Sequence, residues 1–116
     1  MYYLLMDQSR EIVIAEKLQM ANKPLERMVG LLGRSFLPYG EGILLVPCNS
    51  IHTYFMRFSI DILFLDRFQK VLKIVENLQP YRFATCLKAF QTVEIPAGTV
   101  GKLNIEAGSN LVLLKD

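Results

Sequence analysis

His52 is the only histidine in a chain of 116 residues, and that narrows the available chemistry at once. Catalytic zinc takes three protein ligands, most often with several imidazoles, so neither a His₃ nor a His₂-carboxylate site can be built within one chain. A set of His52 with Asp61 and Glu76 would hold a first-row metal only weakly, because such metals favour more nitrogen or sulfur. No metal and no cofactor are expected. Cys48 stands four residues before His52, which suggests a thiol–imidazole pair for nucleophilic chemistry. Such a pair needs hydrogen-bond reach and a third group to orient the imidazole. Along an extended strand the two would lie about 13 Å apart. They meet only if Asn49-Ser50 folds as a turn, which those residue types permit. The plainer expectation is that Cys48 packs as a small hydrophobe and His52 is a strand residue with one hydrogen bond.

Asp61 raises a different question. It sits inside Ile60-Asp-Ile-Leu-Phe-Leu65, where an unpaired carboxylate would be costly to bury. It must reach solvent, accept backbone N–H groups or meet a cation. Arg27 and Arg34 are seven residues apart, about two helical turns, and would share a helix face. An ion pair of Asp61 with Arg27 or Arg34, mainly structural in role, is the expected solution. Tyr54, Phe55, Met56 and Phe58, with Tyr81 and Phe83, suit either a core or an adaptable apolar binding surface. Arg82, between Tyr81 and Phe83 just after Pro80, is a loop arginine able to anchor a carboxylate or another anion.

The elements that must position these residues are mostly strands. Ile12, Ile14, Leu18 and Met20 share one parity, with charged residues among them, so this stretch is a half-buried strand. It can pair with Tyr2–Met6 across the turn Asp7-Gln-Ser-Arg10. Ile43–Val46, Ile51–Phe58, Ile60–Leu65, Val71–Val75, Ala89–Ile95 and Leu111–Leu114 read as further strands, separated by turn residues. One helix is expected over about 23–33. Asn22 can cap it, Pro24 suits its first turn, and Leu25, Met28, Val29 and Leu32 fall at helical spacing before Gly33. Seven or eight short strands with one amphipathic helix define a mainly β fold, a β-sandwich or small barrel.

Composition bounds the rest. The length fits a single domain, residues 1–116. Hydrophobic residues are 52% and charged ones 21%, which excludes a disordered chain. The apolar runs are strand-sized, far short of the ~18 residues of a membrane-spanning helix. Net charge is +2 with no basic run, and a nucleic-acid partner is not expected. No signal peptide is visible at the N-terminus, and two cysteines make no disulfide framework, so a cytoplasmic location with reduced thiols is expected.

Several stretches also come in a familiar order: Arg27-Met-Val-Gly-Leu-Leu-Gly-Arg34, Gly42-Ile-Leu-Leu45, Ile51-His-Thr-Tyr-Phe-Met56, Ile60-Asp-Ile-Leu-Phe-Leu-Asp66, Glu94-Ile-Pro-Ala-Gly98 and Ile105-Glu-Ala-Gly108. From about residue 21 to 114 the chain resembles the bacterial and archaeal domain-of-unknown-function family 192. The resemblance implies a compact β-sandwich-like domain with one helix, and it carries no catalytic residue with it. The chain departs from the family pattern at two places. Tyr54 and Phe55 precede Met56 where many relatives have Trp, and Ser109 stands where relatives often have aspartate. The stretch Pro96-Ala-Gly98 is superficially like a cupin metal motif, but Gly101 occupies the position where that motif needs a histidine.

With no recognisable catalytic constellation, the expected function is a non-enzymatic binding module for a small ligand or a protein partner. The candidate residues are Cys48, His52, Tyr54, Met56, Asp61, Arg82 and Arg34. The alternative is a small enzyme using His52 with Asp61 or Cys48. The two differ in one geometric respect: an enzyme needs His52 in a concave pocket beside a second titratable group.

Overall fold

The computed structural model describes residues 2–115. Its strands are β1 (Tyr2–Asp7), β2 (Ile12–Ala21), β3 (Glu41–Leu45), β4 (Ser50–His52), β5 (Ile60–Leu65), β6 (Val71–Leu78), β7 (Phe83–Thr85), β8 (Gln91–Pro96) and β9 (Leu111–Lys115). Two short helices, α1 (Pro24–Val29) and α2 (Thr99–Leu103), lie between β2 and β3 and between β8 and β9. The expected mainly β architecture is present. Seven strands form one curled sheet in the order β6-β5-β8-β3-β2-β1-β9, and β4 pairs with β7 separately.

All neighbours in the large sheet run antiparallel except β2 and β3. A parallel pair cannot be closed by a tight turn and needs a crossover, usually with a helix in it. The segment from Asn22 to Gly40 is that crossover, and α1 lies within it. The sheet curls until its edges touch at one end. Val71 donates its N–H to Ser109, Gly108 to Val71 and Leu111 to Gln69, at 2.7–3.0 Å. Closing the edges leaves no long open strand at that end.

The curled sheet has two apolar faces. Leu5, Leu18, Leu44, Leu63, Val93 and Ile95 fill the inside, and Val100 of α2 joins them at one end. On the outer face Ile43, Leu45, Ile60, Ile62 and Phe64 are covered by Leu31, Leu37, Ile51 and Met56. Strands β5 and β8 are therefore buried along their whole length, as near-continuous apolar runs demand. Gly42 lets β3 approach β8: a Cβ there would lie 2.6 Å from the Glu94 carbonyl oxygen and 3.0–3.1 Å from Ile95 and Leu18.

Three local expectations change. The helix is shorter than residues 23–33, because Gly30 turns to φ 48° and ends it; Lys23 N–H bonds Glu26 Oε1 at its start. The side chains of Leu25, Met28 and Val29, part of the expected apolar stripe, lie outside the described residues. The strand expected over Ile51–Phe58 stops at His52, and the connection around Tyr81–Lys88 contains its partner β7. Thr53 causes the break. Its N–H, C=O and hydroxyl are all committed to the 79–82 loop or to Met56, leaving none for a ladder. The stretch around Gly101, for which no strand or helix is expected, is α2. Among the described residues no helix is long and apolar enough to cross a membrane.

Candidate ligand pocket

Residues of β8 alternate between the two faces of the sheet. Val93 and Ile95 enter the inner core, so Thr92 and Glu94 point to the outer face. Thr92 is satisfied by its hydroxyl donating to the Cys48 carbonyl at 2.9 Å. Glu94 is not satisfied in this way. It stands in a cross-strand row between Ile43 of β3 and Ile62 of β5 and is only 4% exposed. Its carboxyl group has no ion pair or side-chain hydrogen bond among the described residues. Burial alone pushes its pKa up to about 8, so at neutral pH it is held largely as the acid.

Glu94 forms part of the wall of a cavity of about 400 Å³ between the outer face, α1 and β4. That volume is within the range of small-molecule sites. Arg27 and Gly30 come from α1 and its C-terminus, Leu45 from the end of β3, and Cys48 from the following connection. Ile51 and His52 of β4 close the far side with Met56. Gly30 packs over the carboxyl group, with its Cβ position 4.0 Å from Glu94 Oε1. The lining thus combines apolar walls with a few convergent polar groups.

His52 lines this cavity, and its ring stacks on Tyr54 at 5.2 Å. Its Nδ1 accepts the Tyr54 N–H at 3.3 Å, which leaves the proton of the neutral ring on Nε2. Cys48 also lines the cavity, but its thiol donates to the Ser50 carbonyl at 3.2 Å. The thiol–imidazole pair suggested by their spacing is not formed. Both cysteines are free. Among the described residues no group of three His, Cys, Asp or Glu side chains is placed to hold a metal ion.

Beside the cavity lies an aromatic rim. Phe55 at φ 67° and Tyr81 at φ 64° meet edge to face at 5.7 Å, and Tyr81 also approaches Tyr54 at 6.2 Å. A left-handed backbone is strained for bulky residues and persists only where the surroundings impose it. Thr53, fully buried, imposes it here. It receives the N–H of Tyr81 on its carbonyl and of Arg82 on its hydroxyl, and donates that hydroxyl to Gln79 at 2.6 Å. Phe55, Phe83 and Leu87 remain 74%, 65% and 81% exposed.

Other expected residues lie elsewhere. Asp61 is fully buried and forms no ion pair with an arginine among the described residues. It accepts the N–H groups of Asn77 at 2.8 Å, Gly98 at 3.1 Å and Val100 at 2.9 Å. Three backbone donors satisfy the carboxylate without a desolvated guanidinium, which corrects the expected pairing with Arg27 or Arg34. These bonds also tie β6 and α2 to β5, and they leave Asp61 no role beside His52. Arg34 instead donates to Gln19 Oε1 at 3.1 Å and lies 3.7 Å from Glu41. Arg82 is exposed and its Nη1 donates to the Tyr81 carbonyl. The pocket therefore gathers Arg27, Cys48, His52 and Met56 from the sequence candidates and adds Glu94, which residue-by-residue reading had left inside a motif.

By form the chain is a mainly β domain built on one curled sheet. By sequence, residues 6–113 match the domain-of-unknown-function family 192, described as Uncharacterized ACR, and the chain belongs to that family. A UPF0127 protein of Pyrococcus abyssi is 28% identical over 93% of this chain and 95% of its own length. A UPF0127 protein of Pyrococcus furiosus is 31% identical over 82% of this chain and 84% of its own. Two solved structures share the fold. A protein of unknown function from Novosphingobium aromaticivorans has a TM-score of 0.82 at 20% identity, covering 95% of this chain and 82% of that one. A candidate transcription regulator from Sinorhizobium meliloti has a TM-score of 0.84 at 21% identity, covering 96% and 91%.

Proposed function

We propose that this protein is a small-molecule binding module whose ligand sits in the cavity over Glu94. The observation that carries the reading is the state of that residue: it is almost wholly buried, and its carboxyl group, without a hydrogen-bond partner or ion pair among the described residues, opens onto a cavity. Among the described residues no fully buried side-chain polar atom lacks a partner, so the unbonded carboxyl oxygens of Glu94 open onto the cavity, where an incoming ligand can supply the partner that protein groups usually supply. The stretches that carry the family resemblance add support. Arg27 and Leu31, Leu45, Ile51 and Met56, and Glu94 belong to four separate ones, and all line the same space.

The test is a thermal-shift screen of small organic acids, sugars, nucleotides and metal ions on the wild type, Glu94→Ala and His52→Ala. A ligand at 100 times its dissociation constant adds about 2.7 kcal/mol, roughly 10 °C for a chain of this size. A shift that is present in the wild type and reduced in both variants is the expected result. A blank across the panel contradicts the reading.

The exposed aromatic rim favours a second reading, a protein partner, because contiguous exposed apolar residues mark interaction surfaces. The double variant Phe55→Ser, Phe83→Ser separates the two. It leaves small-molecule shifts intact under the first reading and abolishes complex formation under the second.

A further inference from the structure

Four side chains that carry charge or titrate face the cavity: Arg27 from α1, Cys48 from the connection after β3, His52 from β4 and Glu94 from β8. Each can be followed to what it has left to offer. The Cys48 thiol is already used on the Ser50 carbonyl. His52 has spent its acceptor, Nδ1, on the Tyr54 N–H, so Nε2–H remains as a donor. The guanidinium of Arg27 consists of donors only and has no side-chain hydrogen bond or ion pair among the described residues. Glu94, pushed up to about 8 by burial, carries an O–H at neutral pH. Apart from Glu94 the lining contains no carboxylate. Asn49 and Ser50 also line the cavity and bond each other, Ser50 Oγ donating to Asn49 Oδ1 at 3.4 Å, so the side chains left free are mainly donors, with one fixed positive charge. The lining also contains the apolar side chains of Leu31, Leu45, Ile51 and Met56.

Building on the pocket reading, we propose that the ligand is a small monocarboxylic acid with a short aliphatic chain, its carboxylate taken by Arg27 and Glu94 and its chain laid on Leu31, Leu45 and Met56. A carboxylate accepts from both groups at once, and charge-assisted bonds of this kind are the strong ones. An ammonium ligand would pair with an ionised Glu94 but would bring a second cation beside Arg27, with no other acid in the lining to offset it. Glu94 then acts as a gate on pH. When it ionises, its negative charge faces the ligand's own, and the donor becomes a repulsive acceptor. Gln at this position keeps an N–H donor and removes the titration.

The experiment uses sodium pentanoate and pentylamine as probes, by calorimetric titration of the whole chain at pH 6.5 and pH 9. The proteins are wild type, Glu94→Gln and Arg27→Met, each checked for folding by circular dichroism. Pentanoate is expected to bind the wild type at pH 6.5 and about tenfold or more weaker at pH 9, the loss of roughly one charge-assisted bond. Glu94→Gln binds it equally at both pH values, and Arg27→Met binds it at least about tenfold more weakly at pH 6.5. Pentylamine bound in place of pentanoate overturns the carboxylate assignment and leaves the pocket reading standing. Failure of both probes, while some other compound still shifts the wild type and not Glu94→Ala, does the same. Failure of both probes and of every other compound overturns the two together.

Discussion

Two buried carboxyl groups sit one step apart in the register of adjacent central strands, and the molecule treats them in opposite ways. Asp61 of β5 lies opposite Ile95, and Glu94 of β8 lies opposite Ile62, so the two side chains leave the sheet on opposite faces. Asp61 takes three backbone N–H groups and joins β5, β6 and α2. Glu94 has no partner among the described residues and opens onto a cavity. Burial costs a carboxylate the same hydration in both places, so the difference lies in what replaces the water. Where the protein supplies donors the acid is structural. Where it supplies none, the acid stays protonated and its bonding capacity is left for something that enters from outside.

Substitutions at the two positions should therefore diverge. Asp61→Ala is expected to have the largest effect, a loss of about 3–5 kcal/mol in urea unfolding, because it strands three N–H groups at once, that of Val100 in the buried interior, and cuts the ties of β6 and α2 to β5. Unchanged stability would remove the contrast. Thr53→Val should lose about 1–3 kcal/mol by the same assay, since Gln79 and Arg82 lose the hydroxyl that holds the rim. Its effect belongs to the loops beside the pocket rather than to the sheet. Gly42→Ala forces a Cβ against β8 beside Glu94 and should cost about 1–3 kcal/mol. The double variant Phe55→Ser, Phe83→Ser should change unfolding by no more than about 0.5 kcal/mol, because neither exposed ring contributes to either core.

The inner half of this comparison was largely legible before any coordinates. Ile60-Asp-Ile-Leu-Phe-Leu65 reads as a strand buried on both sides, and its aspartate as a group that must find partners. The partners are not legible in the sequence, because Asn77, Gly98 and Val100 are remote from Asp61 along the chain and backbone N–H groups leave no mark in residue types. Glu94 was hidden by a stronger effect. Gln91, Thr92 and Glu94 around Val93 and Ile95 give β8 the alternation of a strand with one wet face. That face is dry only because Leu31 and Leu37 of the β2–β3 connection, Ile51 of β4 and Met56 lie over it. Their cover depends on the parallel β2–β3 crossover and on the arrest of β4 at Thr53. Neither is a matter of local propensity. The β-forming run Ile51–Phe58 would extend past Thr53 if the 79–82 loop did not claim its hydrogen bonds.

The central claim is that Glu94 is a neutral, unpartnered acid kept at a cost in stability. It is tested by the difference in unfolding free energy between Glu94→Gln and wild type, followed from pH 4 to pH 9. The folded-state value of about 8 lies above the ordinary 4.5. Between them the folded protein binds more protons than the unfolded chain, and wild type loses stability as pH rises through that window. Gln does not titrate. The variant is therefore expected to match wild type near pH 4 and to become progressively more stable above pH 4.5. The gap should level off past pH 8 at a size on the order of several kcal/mol. A difference that stays flat across the range, or a wild type that gains stability over the same window, would contradict the account and mark Glu94 as a satisfied residue like Asp61.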